Sequence, residues 1–321
     1  MSVLAVYLLL QQVSLGELGD VLRQARPWPI ALLVVTVLLS LVTRAVRWQV
    51  YFLPDRHVPF APLLGTLAIS YMASTFLPFR VGELIRAVFL GQRESIPVPL
   101  VIGTILLEKL FDFLAIGVML LLLVVTTPLP TAAEVIGSSL AIVILAGFAF
   151  VVALAIWRTP TLRVVGMAEK LVPFGLGRRV GLTRVAAQFA EGTDALRVPR
   201  LWIPMLFWTA VTWTTAIASA WAGALAVGLA LGLPALTFMT VVTSSGQAVP
   251  SSPGYVGVYH GAVVVALAAF GVDRASALGT AVITHAFTYG SLVVVGLIAL
   301  WLGGYGARDL LRARVPAPTS S

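Results

Sequence analysis

Apolar residues fall in long blocks along this chain, and the polar residues between them are few and clustered, a pattern of helical segments rather than of alternating strands. Val3 to Leu10 is apolar, but as a helix it reaches only about 12 Å against a hydrocarbon core of about 30 Å, so it does not cross alone. It has no basic flank and no small-residue cleavage site, and does not read as a signal peptide. Ser14 to Arg26 reads SLGELGDVLRQAR. Leu15, Leu18, Val21 and Leu22 are helically spaced with charges opposite, which predicts a helix lying at the interface. A full span is predicted from about Trp28 to Trp48. After it come an apolar stretch from Phe60 to Leu77, the interruption Leu77-Pro78-Phe79-Arg80-Val81-Gly82-Glu83, and a short segment from Leu84 to Leu90. Neither half is comfortable as a crossing. Pro97 to Val125 predicts one helix of about 43 Å, and Val135 to Trp157 a further span beyond the neutral link TTPLPT.

Arg158 to Arg200 breaks the pattern, carrying Arg158, Arg163, Lys170, Arg178, Arg179, Arg184, Arg197 and Arg200; the positive-inside rule places it in the cytoplasm. A span from Leu201 to about Leu231 follows, then an apolar stretch broken at Val249-Pro250-Ser251-Ser252-Pro253-Gly254, a segment to Phe270, and a long helix from Arg274 to about Leu302. The tail, with Arg308, Arg312 and Arg314, is again basic and expected inside. Each half then reads as span, broken pair and long span, in opposite orientations, with the broken pairs taken as re-entrant hairpins in preference to two thin crossings. Pro78-x-x-Val81-Gly82 with Ala87-Val88 recurs as Pro253-x-x-Val256-Gly257 with Ala262-Val263. Gly103-Thr104-x-x-x-Glu108-Lys109-x-x-Asp112 recurs as Gly279-Thr280-x-x-x-Thr284-His285-x-x-Thr288. Two matches in order predict an inverted-topology repeat, in which broken helices meet near the midplane. The expected organisation is one all-α polytopic transmembrane domain over residues 1–321, with repeat one at about 28–126, a connecting span and basic loop at about 127–200, and repeat two at about 201–303.

Composition narrows the class. Of 321 residues, 59% are hydrophobic and 11% charged, with a mean hydropathy of +1.00, whereas soluble domains carry roughly 25% charged residues. This excludes a cytosolic enzyme. The net charge of +8 comes mostly from Arg and points to anionic lipid headgroups rather than nucleic acid. With no Cys, the chain has no disulfide, thiol nucleophile or zinc ribbon.

The chemistry-bearing residues cluster near the breaks. Glu83 and Arg86 stand one turn apart after the first, with Arg80 before it. Ionisable groups in hydrocarbon cost about 2.5 to 3.5 kcal/mol each on insertion scales, so they pair or line a cavity. The arginines are either interfacial anchors neutralised by Glu83 or donors to a lipid phosphate. Glu108 and Asp112, four apart, share a helix face beside Lys109. They form either a buried ion-pair set with Arg86 or Arg80, or a site for a proton or headgroup amine. Arg44 and Arg47 close the first span and are expected to snorkel to cytoplasmic headgroups as anchors. His285 replaces Lys109 in the second repeat, and Tyr259-His260 follows the second break; each is a packing group or a ligand. Ser244, Ser245, Gln247, Ser251 and Ser252 add hydrogen-bonding groups there. The breaks themselves are assigned to Pro78, Gly82, Pro253, Gly254 and Gly257. HExxH, Walker A, GxSxG and a spaced Asp pair are absent from the sequence, so no metal, cofactor or catalytic residue is assigned.

The segments RAVRWQVYF, STFLPFRVGELIRAVFL, LLEKLFDFL and SSPGYVGVYHGA resemble, in order and approximate spacing, the membrane domain of bacterial lysylphosphatidylglycerol synthetases and its stand-alone flippase-like relatives, over about Arg44 to Leu302. The resemblance implies a domain that moves aminoacylated phospholipid between leaflets, without the cytoplasmic aminoacyl-transferase domain, for which this chain leaves no room. By motif, the family's polar positions fall on Arg44, Arg47, Gly82, Glu83, Arg86, Glu108, Asp112, Pro253, Gly254 and Gly257. Many relatives place an acidic residue after the second Pro-Gly, where this chain has Tyr259 and His260. The resulting expectation is a lipid transporter or flippase for an anionic or aminoacylated (glyco)phospholipid or polyprenyl-phosphate-type lipid, in the cell (inner) membrane with a cytoplasmic C-terminus. Arg80, Glu83, Arg86, Glu108, Asp112, His285 and Tyr259 are its expected substrate contacts. Partners are then membrane phospholipid or a lipid-linked substrate, with a second copy of the chain or a lipid synthase as candidate protein partners. Two rivals stand: an intramembrane lipid-modifying enzyme using a carboxylate or His285, and a non-transporting scaffold for a glycosyltransferase or lipid synthase.

Overall fold

The computed structural model describes residues 15–53, 56–77, 81–127, 131–157, 182–248 and 253–303. Pro78, Arg80, most of the basic loop, Val249 to Ser252 and the basic tail lie outside the described residues. Among those described, every regular element is a helix. The amphipathic segment forms α1 (Leu15–Arg23), and the first span forms α2 (Pro27–Tyr51). The first broken pair is α3 (Phe60–Phe76) and α4 (Val81–Glu94). Next come the long α5 (Val98–Thr126) and α6 (Thr131–Ile156). Part of the expected basic loop is itself structured, as α7 (Leu182–Glu191) and a 3-10 turn at Asp194–Arg197. Then follow α8 (Pro199–Ala226), α9 (Leu233–Ala248), a 3-10 turn at Pro253–Tyr255, α10 (Val258–Ala268) and α11 (Arg274–Gly303).

Helix starts follow from proline, which loses no hydrogen bond in a first turn: Pro27 opens α2 and Pro199 opens α8. α8 stops short of the expected Leu231 because the chain turns at Gly228, where φ is +83°, a region glycine enters without steric cost. The helices α2, α5, α8 and α11, of 25, 29, 28 and 30 residues, are long and apolar enough to cross a membrane. The members of the broken pairs, with 17, 14, 16 and 11 residues, rise only about 17 to 26 Å and fall short of the hydrocarbon thickness.

The burial pattern is that of a membrane protein. Arg47, Arg86 and Glu108 are at most 2% exposed, while Ile203 and Trp301 are 77% and 80% exposed, the reverse of a soluble surface. α2 packs against α8, α3 against α11, α5 against α6, and each broken pair closes on itself as α3 on α4 and α9 on α10. The α2–α8 contact is fastened by hydroxyl pairs, Ser219 to Thr36 at 3.0 Å and Thr212 to Thr43 at 3.4 Å. As numbering rises along α2 it falls along α8, so the two helices cross antiparallel. Small hydroxyl residues let backbones approach and satisfy one another without water. The amphipathic α1 leans on α11, and α7 leans on α5, where Gly103 and Gly192 allow their backbones to meet.

Candidate functional site

A cavity of about 310 Å3 opens inside the bundle, lined from α2, α3, α4, α5, α8, α9, α10, α11 and Tyr255. That is room on the order of ten waters, at the lower end for small-molecule sites.

One wall is charged. Helical spacing puts Glu83 and Arg86 on one face of α4, and Glu108, Lys109 and Asp112 on neighbouring faces of α5, while α2 supplies Arg44 and Arg47. Lys109 Nζ lies 2.8 Å from Glu83, Arg86 Nη2 lies 3.0 Å from Glu108, and Arg47 Nη1 donates to Asp112 at 2.7 Å. Arg47 is also 3.7 Å from Glu108. The Arg86 guanidinium stacks over the Trp48 ring at 4.5 Å, a cation–π contact that strengthens out of water. Trp48 in turn donates to Thr104 at 2.9 Å, and Trp213 of α8 donates to Asp112 at 3.3 Å.

Three features make this wall more than a neutral structural network. Both Glu108 oxygens, Arg86 Nε and Nη2, and Arg47 Nε and Nη2 meet charge without a well-aligned hydrogen bond, so the cluster retains hydrogen-bonding capacity. Arg44 lines the cavity and makes no ion pair among the described residues. Four cations therefore face three carboxylates, leaving one positive charge in excess.

Arg47 corrects an expectation. It is fully buried and lies behind the cavity wall, held by two carboxylates, so it does not snorkel to headgroups as an anchor. An arginine near a span's end snorkels when its neighbours are lipid, but here α5 places Glu108 and Asp112 within reach. Arg44, also expected as an anchor, turns instead toward the cavity.

The opposite wall is neutral. It is built from Thr243, Ser244, Gln247, Tyr255, Thr288 and Tyr289, with Tyr259 and Thr284 beside them. Tyr289 Oη donates to Gln247 Oε1 at 3.0 Å, and Gln247 Nε2 donates to the Thr243 carbonyl at 3.2 Å. His285 does not line the cavity. Its Nε2 sits 2.7 Å from the Gly254 carbonyl, and because a carbonyl only accepts, this imidazole carries its proton on Nε2. His285 thus ties α11 to the second break, stacked with Tyr289 at 4.4 Å and beside His260 at 4.9 Å between ring centroids.

The breaks use glycine for different reasons. At Gly82 a Cβ would collide with the Ser70 carbonyl and the Ser74 hydroxyl of α3, so space is what counts. Gly254 and Gly257 have φ of +67° and +88°, so backbone conformation counts. Gly254 also packs against Thr75, which brings the second break next to the end of α3. Of the expected contacts, then, Glu83, Arg86, Glu108, Asp112 and Tyr259 gather at one cavity. Trp48, Trp213, Lys109 as the partner of Glu83, and Tyr289 were not singled out from sequence. The available signal was the mid-span position of Trp213, away from the interfacial belt where Trp is commonplace.

The family model described as lysylphosphatidylglycerol synthase TM region matches residues 1–296. Glycosyltransferase AglD of Haloferax volcanii is 27% identical over 326 aligned positions, which cover 92% of this chain and 52% of the relative. The chain thus spans about half the length of that curated relative. No solved structure matches.

Proposed function

The chain belongs to the lysylphosphatidylglycerol synthase transmembrane-region family, and from that premise we propose that it is a lipid transporter that moves an anionic lipid between leaflets. The observation that carries this reading is the excess positive charge, borne by Arg44, inside a cavity of a bundle whose outer surface is apolar. Burying charge in a membrane is costly and marks a site for polar cargo. Arg44 is the donor to the lipid phosphate, with Arg86 and Lys109 behind it, and Glu83, Glu108 and Asp112 hold these cations in place. Arg80, expected as a further donor, remains part of the proposal on sequence grounds.

The reading includes two inverted repeats, each with a re-entrant pair. Its support is a symmetry in the contacts. The sequence offset that carries Gly103 onto Gly279 also carries Thr36 onto Thr212 and Thr43 onto Ser219, so the two hydroxyl pairs between α2 and α8 are images of each other. Paired images of this kind are what a two-fold axis generates. The same offset carries Arg47 onto Gly223 and Glu108 onto Thr284, and Gly223 and Thr284 are also in contact. The matching positions of α1 on α11 and α7 on α5 extend each repeat to include an amphipathic helix, at about 15–126 and 182–303, with α6 as the connector. With the Arg-rich segments inside, α7 and the C-terminus are cytoplasmic in the cell membrane.

The test is exchange of a labelled anionic lipid in vesicles reconstituted with wild-type or Arg44→Gln protein at equal density. Loss of exchange in the variant, with normal purification, supports the reading; equal exchange overturns the site. A second reading, a membrane scaffold serving a glycosyltransferase, is favoured by the similarity to glycosyltransferase AglD. In that case Arg44→Gln leaves the partner's product yield unchanged.

A further inference from the structure

We infer that the lipid this cavity takes carries an uncharged, hydroxyl-rich headgroup on its phosphate, a glycerol or a sugar, and not an amine. The inference rests on the transport reading and narrows its substrate class.

Among the described residues, every carboxylate of the charged wall already has a cation beside it. Glu83, Glu108 and Asp112 are each engaged by a cation at 2.7 to 3.0 Å. A further cation entering there meets a wall already one positive charge in excess, and like charges at short range repel. A phosphate is the complementary guest.

The wall facing it decides what the phosphate bears. The repeat offset carries Glu108 onto Thr284, Lys109 onto His285 and Asp112 onto Thr288, so every charge of the α5 motif has a neutral counterpart on α11. Thr288, Gln247 and Tyr289 line the cavity with hydroxyl and amide groups that both donate and accept, as a polyol requires. Thr284 Oγ1, on a residue 4% exposed, lies near the Tyr259 hydroxyl without a hydrogen bond of good geometry. The Tyr255 and Tyr289 rings, 6.1 Å apart, also line the cavity and add apolar surface for the C–H side of a ring or glycerol. A site built to hydrogen-bond hydroxyls discriminates well, because a guest lacking them leaves its groups unpaired.

The experiment is native mass spectrometry of the full chain in detergent with an equimolar mixture of phosphatidylglycerol, polyprenyl-phosphoglucose, phosphatidic acid and lysylphosphatidylglycerol. Retention of one or both hydroxyl-bearing anionic lipids about fivefold over the other two is expected, the effect of roughly one hydrogen bond. Whichever is retained more tells glycerol from sugar. Gln247→Leu and the isosteric Thr288→Val should each bring that preference close to unity without lowering phosphatidic acid retention. Equal retention of all the anionic lipids, preference for the aminoacylated lipid, or a preference unchanged in both variants overturns the headgroup assignment and leaves the transport reading standing. Retention of no lipid by wild-type protein overturns both.

Discussion

The two walls of the cavity hold their structure by different physics. On α5, Glu108 and Asp112 are held in ion pairs with Arg47, Arg86 and Lys109. On α11 the neutral Thr284 and Thr288 line the cavity, and His285 and Tyr289 make neutral hydrogen bonds to the Gly254 carbonyl and to Gln247. A buried charge depends on its partner, because losing one leaves the other stranded. A neutral wall is more tolerant, since each group loses no more than its own hydrogen bond. One cavity thus joins an electrostatically held wall to a neutral, hydrogen-bonded one.

The largest expected effect breaks the charged half. Glu108→Gln strands Arg86 and weakens the hold on Arg47, and should destabilise the protein by about 3 to 5 kcal/mol, read as a fall in melting temperature in detergent or a collapse in yield. Thr284→Val, its counterpart, should cost less than about 1 kcal/mol. Equal losses at the two positions would remove the asymmetry. Arg86→Gln belongs with Glu108→Gln, because Arg86 is 2% exposed and paired inside the wall, and its effect on transport is inseparable from its effect on folding.

Arg44 and Glu83 test the same half from the cavity side. Arg44→Gln should reduce anionic lipid exchange by about tenfold or more, the loss of one charged hydrogen bond, with a melting temperature near that of wild type. Glu83→Gln should behave similarly in stability, since Glu83 and Lys109 are each 28% exposed and water in the cavity can solvate the ammonium. A folding defect as large as that of Glu108→Gln would show that the cavity is dry.

The glycines sharpen the contrast further. Gly82→Ala must push α4 away from the Ser70 carbonyl, a packing insult of about 1 to 3 kcal/mol. Gly257→Ala must hold a Cβ at φ +88° and ψ −55°, costing about 1 to 3 kcal/mol through the backbone. A larger Gly82→Val substitution should worsen the first defect, while Gly257→Asn should be no better than Gly257→Ala, because φ +88° with ψ −55° lies outside the left-handed helical region that Asn tolerates. Melting temperatures of the four variants separate the two causes.

These differences explain what could be seen in the sequence. Helix positions were legible because apolar block length is a direct membrane signal, and Pro27 and Pro199 mark their own helix starts. Glu83, Arg86, Glu108 and Asp112 were legible because charge in an apolar block is conspicuous. Arg47 was misplaced, since its distance from the span's end suited an anchor and its partners lie 61 and 65 positions away on α5. Trp48, Trp213 and Tyr289 were silent because aromatic residues are common in membrane helices and only the fold tells belt from site. The structured α7 was missed because its charges masked an apolar face that packs on α5.

The smallest expected effect lies where the long helices begin. α5 starts after Pro97, which has no side-chain cap, whereas α11 starts after Asp273, whose Oδ1 accepts from the Ser276 N–H at 2.9 Å. That hydrogen bond holds the Asp273 carboxyl below its ordinary value. A carboxylate with a lowered folded-state pKa contributes stability above its unfolded pKa, near 4, and loses that contribution as pH falls through the folded value. Because Asp273 is exposed, the effect is local fraying rather than global unfolding. Hydrogen exchange in the first turn of α11, corrected for intrinsic rates, should show protection in wild type falling as pH drops below about 4. Asp273→Asn keeps a good capping group and should show protection that does not change with pH, while Asp273→Ala should lose about 0.5 to 1 kcal/mol of local protection at neutral pH. The first turn of α5, with no titratable cap, should not respond over the same range. A matching loss of protection in α5 would mean that acid acts on the whole bundle and that the difference between the two helix starts has no consequence for stability.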